Sequence, residues 1–252
     1  MLRSSFRRAS ALGDEDLRAL WRFRLSLINL KPTLTPEQDF AAFAKDFRWP
    51  GFVWILREDE RVVGFFLQRG EPLTFRGRRL LCLLPEYGFL APHLRGHPVL
   101  PVASVLITVL ALARHPLRPK YVAASTYPPG YIAFRRVIRP FWTLGSTDLP
   151  AFERALLLHL GQRVSGVSFR AEDGTVNMRT LPIAQREPGE GGSEDSSRLY
   201  ADYAAANPAW RQGRGLFFLF PLDACLLARV VLHGAERLAR AILGPSLARR
   251  QS

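Results

Sequence analysis

Apolar residues recur every three or four positions in two segments near the start of the chain, the spacing of helices that bury one face. The first segment predicts a helix over about 14–31. The second predicts a helix that begins after Thr35 and ends at about Phe47. Pro36 suits a first helical turn, and Gln38 is placed to complete a capping box with Thr35. The chain therefore opens with two amphipathic helices.

Short continuous apolar runs replace this pattern after residue 50. Residues 51–58 and 61–69 are two such runs, separated by an acidic turn, and they predict a β-hairpin. A connector over 70–78 leads to a third run over 79–91, which predicts a longer strand. Pro85 lies inside this run and predicts a bulge or a break there.

The third strand is followed by a predicted helix, a strand and another helix, over about 98–114, 120–126 and 131–138. A strand–helix–strand passage after an antiparallel meander implies one parallel pair in a mixed sheet. The predicted fold class is therefore α/β (α+β mixed sheet), with helices on both faces.

Residues 148–252 alternate further helices and strands, and we predict that they form a C-terminal α/β extension packed on a first domain over 1–147. Residues 184–197 almost lack apolar side chains and predict a mobile loop. The other elements expected are a helix over 149–164, a strand pair around Asp173-Gly174, a helix over 198–206, a strand over 215–220 and a final helix over about 223–243.

The chain of 252 residues carries a formal net charge of +13, almost all of it from arginine. Either the genome favours arginine codons, or the protein is attracted to a polyanion such as an acidic carrier protein, a nucleotide cofactor, a membrane or a nucleic acid. Arginines are spread along the whole chain, so the net charge alone does not choose among these partners. Nucleic acid is not the expected one. The final predicted helix has one apolar and one basic face, which fits docking on the core or association with an anionic membrane.

The positions of the cysteines and histidines, and the motifs that are missing, argue against several classes of protein. Cys82 and Cys225 both lie in apolar runs, as buried thiols of a reducing compartment do, and we expect a cytoplasmic protein. The five histidines are scattered, so no metal site is expected. Sequence motifs of serine hydrolases, zinc proteases, P-loop proteins and dinucleotide-binding proteins are missing.

A basic turn, Arg95-Gly96-His97-Pro98, joins the long third strand to the main helix. Together with the order of elements over residues 10–145, this turn resembles the acyl-CoA N-acyltransferase (GNAT) superfamily. In that family the turn and the helix start hold the pyrophosphate of the cofactor, which a helix N-terminus favours. The resemblance implies that Arg95, Gly96, His97 and the backbone at Val99 bind the phosphates of acyl-CoA.

The sequence departs from the family pattern at the two glycine positions of this turn. Pro98 stands at the first and has no N–H to donate, and Leu100 stands at the second, where its side chain obstructs close approach to the backbone. The loop is therefore degenerate, and it either binds phosphate in an altered way or serves only as a surface turn.

The resemblance also implies the catalytic residues. Glu86, the carboxylate of the long third strand, would be the general base, since burial in an apolar run raises a carboxyl pKa. Tyr131 would be the acid that protonates the departing thiolate, and Ser125, Thr126 and Tyr127 lie nearby. Glu86 could equally be paired with an arginine, and Tyr131 could be a packing residue. His93 and His97 are alternative bases.

These observations predict an N-acyltransferase that moves an acyl group from acyl-CoA or an acyl carrier protein to an amine. Residues 148–243 could widen the sheet and cover the acyl site. A GNAT-fold protein without catalysis that binds an anionic ligand or partner is the alternative, motivated by the degenerate loop. A peripheral membrane protein that uses the C-terminal helix is a further alternative.

Overall fold

The computed structural model describes residues 1–94, 99–181, 194–223, 226 and 228, and gives only the backbone of residues 99–101, 104 and 111. The helices of the described residues are α1 (Asp14–Leu25), α2 (Pro36–Phe47), α3 (Val99–Arg114), α4 (Pro128–Val137), α5 (Ala151–Ser165) and α6 (Glu194–Ala206). The strands are β1 (Leu2–Arg8), β2 (Asn29–Leu30), β3 (Gly51–Glu58), β4 (Arg61–Phe75), β5 (Arg78–Leu90), β6 (Lys120–Thr126), β7 (Trp142–Thr143), β8 (Phe169–Arg170), β9 (Thr175–Asn177), β10 (Thr180–Leu181) and β11 (Arg214–Pro221).

One large mixed sheet runs through the described residues in the order β1-β3-β4-β5-β6-β11-β9-β8, with β7 also paired to β11. β5 and β6 are its parallel pair, and α3 connects them. The remaining pairs in this sheet are antiparallel. The predicted fold class, a mixed α/β sheet with one parallel pair, is confirmed. A parallel pair of strands needs a crossover connection, and α3 provides it.

The helices cover both faces of the sheet, as predicted. Side chains alternate along each strand, so Leu80, Cys82 and Leu84 point to one face and Leu81 and Leu83 to the other. The first set packs on α5, and the same face carries α1 and α2 beside β3 and β4. The opposite face carries α3, α4 and α6. These two faces are called the α1 face and the α3 face below.

The starts of the first two helices and the acidic hairpin turn follow the predicted local signals. Gly13 is the N-cap of α1, and α2 has the predicted capping box, in which the Thr35 hydroxyl accepts from the Gln38 N–H and the Gln38 side chain accepts from the Thr35 N–H. Asp59 and Glu60 form the acidic hairpin turn with positive φ angles of 45° and 66°. The primed type of turn requires such angles at its two central residues.

Four predicted boundaries were wrong. α1 ends at Leu25 and not near Lys31, because Asn29–Leu30 forms β2 and pairs with β10. The connector over 70–78 is the continuation of β4, since Glu71–Phe75 pairs with β5 up to a turn at Arg76-Gly77. α6 begins at Glu194, inside the segment predicted as a loop, and residues 182–193 of that segment lie outside the described residues. α4 begins at Pro128 and not at Tyr131, because proline fits the first turn of a helix.

β1, which lies at the edge of the described sheet beside β3, was not predicted. Its side chains are almost all exposed and mainly Arg and Ser, so the apolar alternation of a half-buried strand is missing. Charged side chains on an edge strand oppose pairing with another chain.

The C-terminal part widens the sheet, as predicted. β11 pairs antiparallel with β6 from Leu216 to Pro221, and β9 pairs with the other edge of β11. The division into domains at residue 147 stays a prediction. The predicted final helix falls almost wholly outside the described residues; Leu226 is buried among the α3-face residues. None of the described helices has the length and apolar character needed to cross a bilayer.

Candidate active site

The candidate site is a gap between β5 and β6. The two strands pair at only three positions, Leu81 with Lys120, Cys82 with Tyr121, and Leu83 with Val122. Both strands continue beyond this point, β5 to Leu90 and β6 to Thr126, without pairing to each other. The sheet is therefore open between them, at the end from which the chain enters α3.

The N-terminus of α3 follows the open end of β5. Its first residue is Val99, and the partial positive charge of a helix N-terminus favours an anion there. Arg95, Gly96 and His97 lie outside the described residues, as does Pro98, and the side chains of Val99 and Leu100 are not described. Phosphate binding by this turn stays a prediction.

Glu86 occupies a bulge on the β5 side of the gap. Leu67 of β4 lies opposite Tyr87 and Gln68 lies opposite Pro85, so Glu86 is the extra residue with no partner in the register. The irregularity predicted from Pro85 is confirmed as this bulge. A bulge bends its strand away from the regular ladder, and such irregularities are frequent next to active sites.

The Glu86 carboxylate forms an ion pair with Arg69 of the neighbouring strand. Arg69 lies opposite Leu84 in the register, which places the pair on the α1 face. Burial raises the pKa of Glu86; the Arg69 guanidinium opposes this rise but does not cancel it. A carboxylate in this state is suited to accept a proton from an ammonium group.

A second polar cluster lies next to Glu86 and was missed by the sequence analysis. The Tyr87 hydroxyl donates a 2.5 Å hydrogen bond to Asp46 of α2, and Arg179 donates to the same carboxylate at 2.7 Å and to the Tyr87 oxygen. Burial raises the pKa of Tyr87 well above its ordinary value, and the Asp46 carboxylate adds to this rise. The three residues are far apart in sequence, so no local motif could identify the cluster.

Arg179 belongs to a segment, residues 177–181, that crosses the gap on the α1 face and is called the strap below. Arg179 contacts Tyr87 of β5, whereas the neighbouring Met178 accepts a 3.3 Å hydrogen bond from the Ser125 hydroxyl of β6. The Tyr127 hydroxyl donates to the carbonyl of Thr180. The strap thus bridges the two strands that separate at the gap.

The strap is held on its other side by the loop between α1 and α2. β10, at the end of the strap, pairs with β2, so that Thr180 lies opposite Leu30 and Leu181 opposite Asn29. The Lys31 ammonium donates to the side-chain oxygen of Asn177. Residues of the C-terminal part thus lie across the candidate site; that they cover an acyl group stays a prediction.

Tyr131, the predicted acid, lies on the α3 face and has no recorded contact with Glu86. Its ring is buried between those of Phe141 and Tyr203, with ring centres 5.4 Å and 5.3 Å away. It shares an apolar cluster with Leu83 and Ala124, which flank the point where β5 and β6 separate. Burial raises its pKa. Its catalytic role stays a prediction.

Two alternatives to these residues have clear positions. Tyr127 is the N-cap residue of α4, and burial raises its pKa to about 12. His93, an alternative base, is half exposed, and its Nε2 lies 3.3 Å from Glu58 at the β3–β4 hairpin. His97 lies outside the described residues.

The strand order and the open parallel pair match the acyl-CoA N-acyltransferase fold that the resemblance implied. No family model matches the sequence, and no curated protein is significantly similar to it. Several solved structures of that superfamily are similar to the chain over part of its length.

One similar structure is an acyl-CoA N-acyltransferase from Pseudomonas aeruginosa, at 12% identity and a TM-score of 0.42, covering 60% of this chain and 94% of that one. Another is an aminoglycoside N-acetyltransferase in complex with CoA, at 14% identity and a TM-score of 0.38, covering 54% and 85%. A third, from Enterococcus faecalis, is described as a "Probable N-Acyltransferase"; it has 18% identity and a TM-score of 0.39, and the match covers 54% of this chain but only 32% of that one. These similarities are too distant to define an activity.

Proposed function

We propose that the protein transfers an acyl group from a phosphopantetheine thioester, carried by CoA or by an acyl carrier protein, to an amine. The observation that carries this proposal is the gap between β5 and β6, which ends at the N-terminus of α3. A narrow thioester arm fits between two strands that stop pairing, and the helix start provides amide donors for its phosphate.

In the proposed reaction the amine nitrogen attacks the thioester carbonyl, and Glu86 accepts the proton that the nitrogen loses. The carbon–sulfur bond then breaks, and the thiolate takes a proton from Tyr131 or leaves as the anion. Arg69 keeps the Glu86 carboxylate in position, and burial raises the pKa of Glu86 towards that of a useful base. Arg95, Gly96, His97 and the Val99 amide would bind the phosphates.

A binding protein without catalysis is the second candidate. The ion pair with Arg69 favours it, because a carboxylate held by a guanidinium is less available as a base. Pro98, which has no N–H, weakens the proposed phosphate loop in either case.

Thermal unfolding with CoA, acetyl-CoA and a long-chain acyl-CoA tests ligand binding. A ligand that binds only the folded state raises the melting temperature, by an amount that grows with its concentration relative to Kd. Arg95→Ala should reduce this rise, whereas Arg76→Ala, an exposed arginine in the β4–β5 turn, should not. If no CoA ligand stabilises the protein, only a carrier-protein donor is left for the proposed reaction.

Release of free thiol in the presence of a panel of amines then tests catalysis. The proposed enzyme releases thiol only when both an acyl donor and an amine are present, and Glu86→Gln abolishes most of this release. Stabilisation by CoA without thiol release from any donor and amine would favour the binding protein.

A further inference from the structure

A cavity of about 500 Å³ lies beside the C-terminal end of α3. Three of its lining arginines are exposed: Arg8 at the end of β1, Arg48 just after α2, and Arg114, beside His115, at the end of α3. The fourth, Arg69 of β4, is buried and paired with Glu86. The residues that line this cavity include no carboxylate. Arg69 connects this cavity to the candidate active site, because it lines the cavity and pairs with Glu86.

The three exposed arginines of the cavity have no ion-pair partner within the described residues. Arg8, Arg48 and Arg114 are exposed, and none of them forms an ion pair in that part of the chain. By contrast, Arg7 beside Arg8 and Arg57 of β3 both pair with Asp16. Like charges that converge without carboxylates repel one another, and a bound anion relieves this repulsion.

Helix geometry accounts for only part of this arrangement. Arg48 and Arg114 stand at the C-terminal ends of α2 and α3, where the helix dipole favours a cation. Arg8 is on a strand, where no such effect operates. The Arg114 guanidinium also lies over the ring of Phe52, 4.9 Å from its centre, which orients it at the cavity.

The buried lining of the cavity is partly apolar, beside the polar side chains of Gln68 and Arg69. Leu81 of β5 and Ile107 of α3 line it, and both are buried from bulk solvent. Gly70 lines it too, and an added Cβ there would meet only the side chains of Leu83 and Leu81, at 3.8 Å and 4.0 Å. The glycine therefore leaves space that a larger residue would fill.

We propose that this cavity binds an organic oxyanion with an apolar body, such as an alkyl phosphate or an alkyl carboxylate. The arginines contact the head group, since guanidinium groups donate paired hydrogen bonds to phosphate and carboxylate oxygens. The apolar body lies against Leu81 and Ile107. This proposal does not depend on acyl transfer, although Arg69 lines this cavity and also pairs with Glu86 of the proposed acyl-transfer site.

Isothermal titration calorimetry with octyl phosphate and octanoate tests the proposal on the full-length chain. Both should bind with one site per chain, whereas octanol should bind much more weakly because it lacks the charge. Inorganic phosphate should also bind much more weakly, because it lacks the apolar body. Equal binding of inorganic and octyl phosphate would refute the apolar part of the proposal.

Exposed arginines can be replaced without disturbing the core, so variants locate the binding. Arg48→Gln and Arg114→Gln should each weaken octyl phosphate binding about tenfold, the usual order for a lost charge-assisted contact. Arg61→Gln, an equal change of charge on an exposed residue at the start of β4, should leave it unchanged.

The cavity can also be filled from its interior. Gly70→Val should reduce binding by occupying the space for the apolar body, with the arginines intact. No heat of binding for octyl phosphate to the wild-type protein would overturn the proposal. So would unchanged affinity in a variant with Arg8, Arg48 and Arg114 all replaced by glutamine.

Discussion

The buried ion pair between α1 and α2 allows a quantitative prediction about stability. Asp39 of α2 is fully buried, and it accepts hydrogen bonds from Arg24 at 2.5 Å and 3.3 Å and from the indole N–H of Trp21 at 2.8 Å. The Arg24 side chain is only 2% exposed, and its Nε has no hydrogen-bond partner among the residues that the structure describes. The buried positive charge of Arg24 is therefore balanced by the one carboxylate of Asp39 with which it forms an ion pair.

Asp39→Asn keeps the shape of the side chain and an acceptor for Trp21 but removes the negative charge. Arginine cannot lose its proton in this situation, so a positive charge stays buried without a counter-charge. Breaking a buried pair in this way costs about 3–5 kcal/mol of the free energy of unfolding. For a chain of this size this is a fall of about 6–20 °C in melting temperature.

Urea unfolding followed by fluorescence measures the change, with Glu172→Gln as the control. Glu172 is 75% exposed in its pair with Arg170, and loss of an exposed pair costs less than about 1 kcal/mol. The double variant Arg24→Met with Asp39→Asn should be more stable than Asp39→Asn alone, because the uncompensated charge is gone. A loss below about 1 kcal/mol for Asp39→Asn, or a double variant less stable than the single one, would refute the reasoning.

Three further predictions concern single residues. If Glu86 is the base, its carboxylate must be ionised, so the rate of acyl transfer falls as the pH decreases. The fall should occur at a pKa above the ordinary range for glutamate, because burial raises the pKa of Glu86. A pH–rate profile that is flat through that range would exclude the role. In a Cys225→Ser variant, Cys82 should resist thiol reagents at pH 8 until the protein unfolds, because it is buried and its pKa is raised to about 12; rapid reaction of the folded protein would contradict this burial. Gly161→Ala on α5 should lower the free energy of unfolding in urea by about 1–3 kcal/mol, since the added Cβ would overlap a neighbouring aromatic ring. Gly145→Ala, which has open space around it, should be nearly neutral. Equal stability of the two variants would show that the ring moves aside and would contradict the prediction.

The candidate site was predictable only where its signals are local. Pro85 within an apolar run indicated the irregularity of β5, and the structure shows a bulge at Glu86. The partner of Glu86 could not be foreseen, because Arg69 is one of many arginines and only the register of β4 and β5 selects it. The cluster of Tyr87 with Asp46 and Arg179 joins residues even farther apart, since its two charged members are separated by 133 positions in the sequence.

The sequence by itself determined the helices with capping signals and the strands with continuous apolar runs, because backbone preferences and apolar periodicity act over a few residues. It also determined the parallel pair, since a helix between two strands leaves little choice of direction. Only the tertiary structure decided that β1 closes the edge of the sheet, that β4 extends to Phe75, and that the strap crosses the gap. These features depend on contacts between residues far apart in the chain, and their free energy appears only once the sheet has assembled.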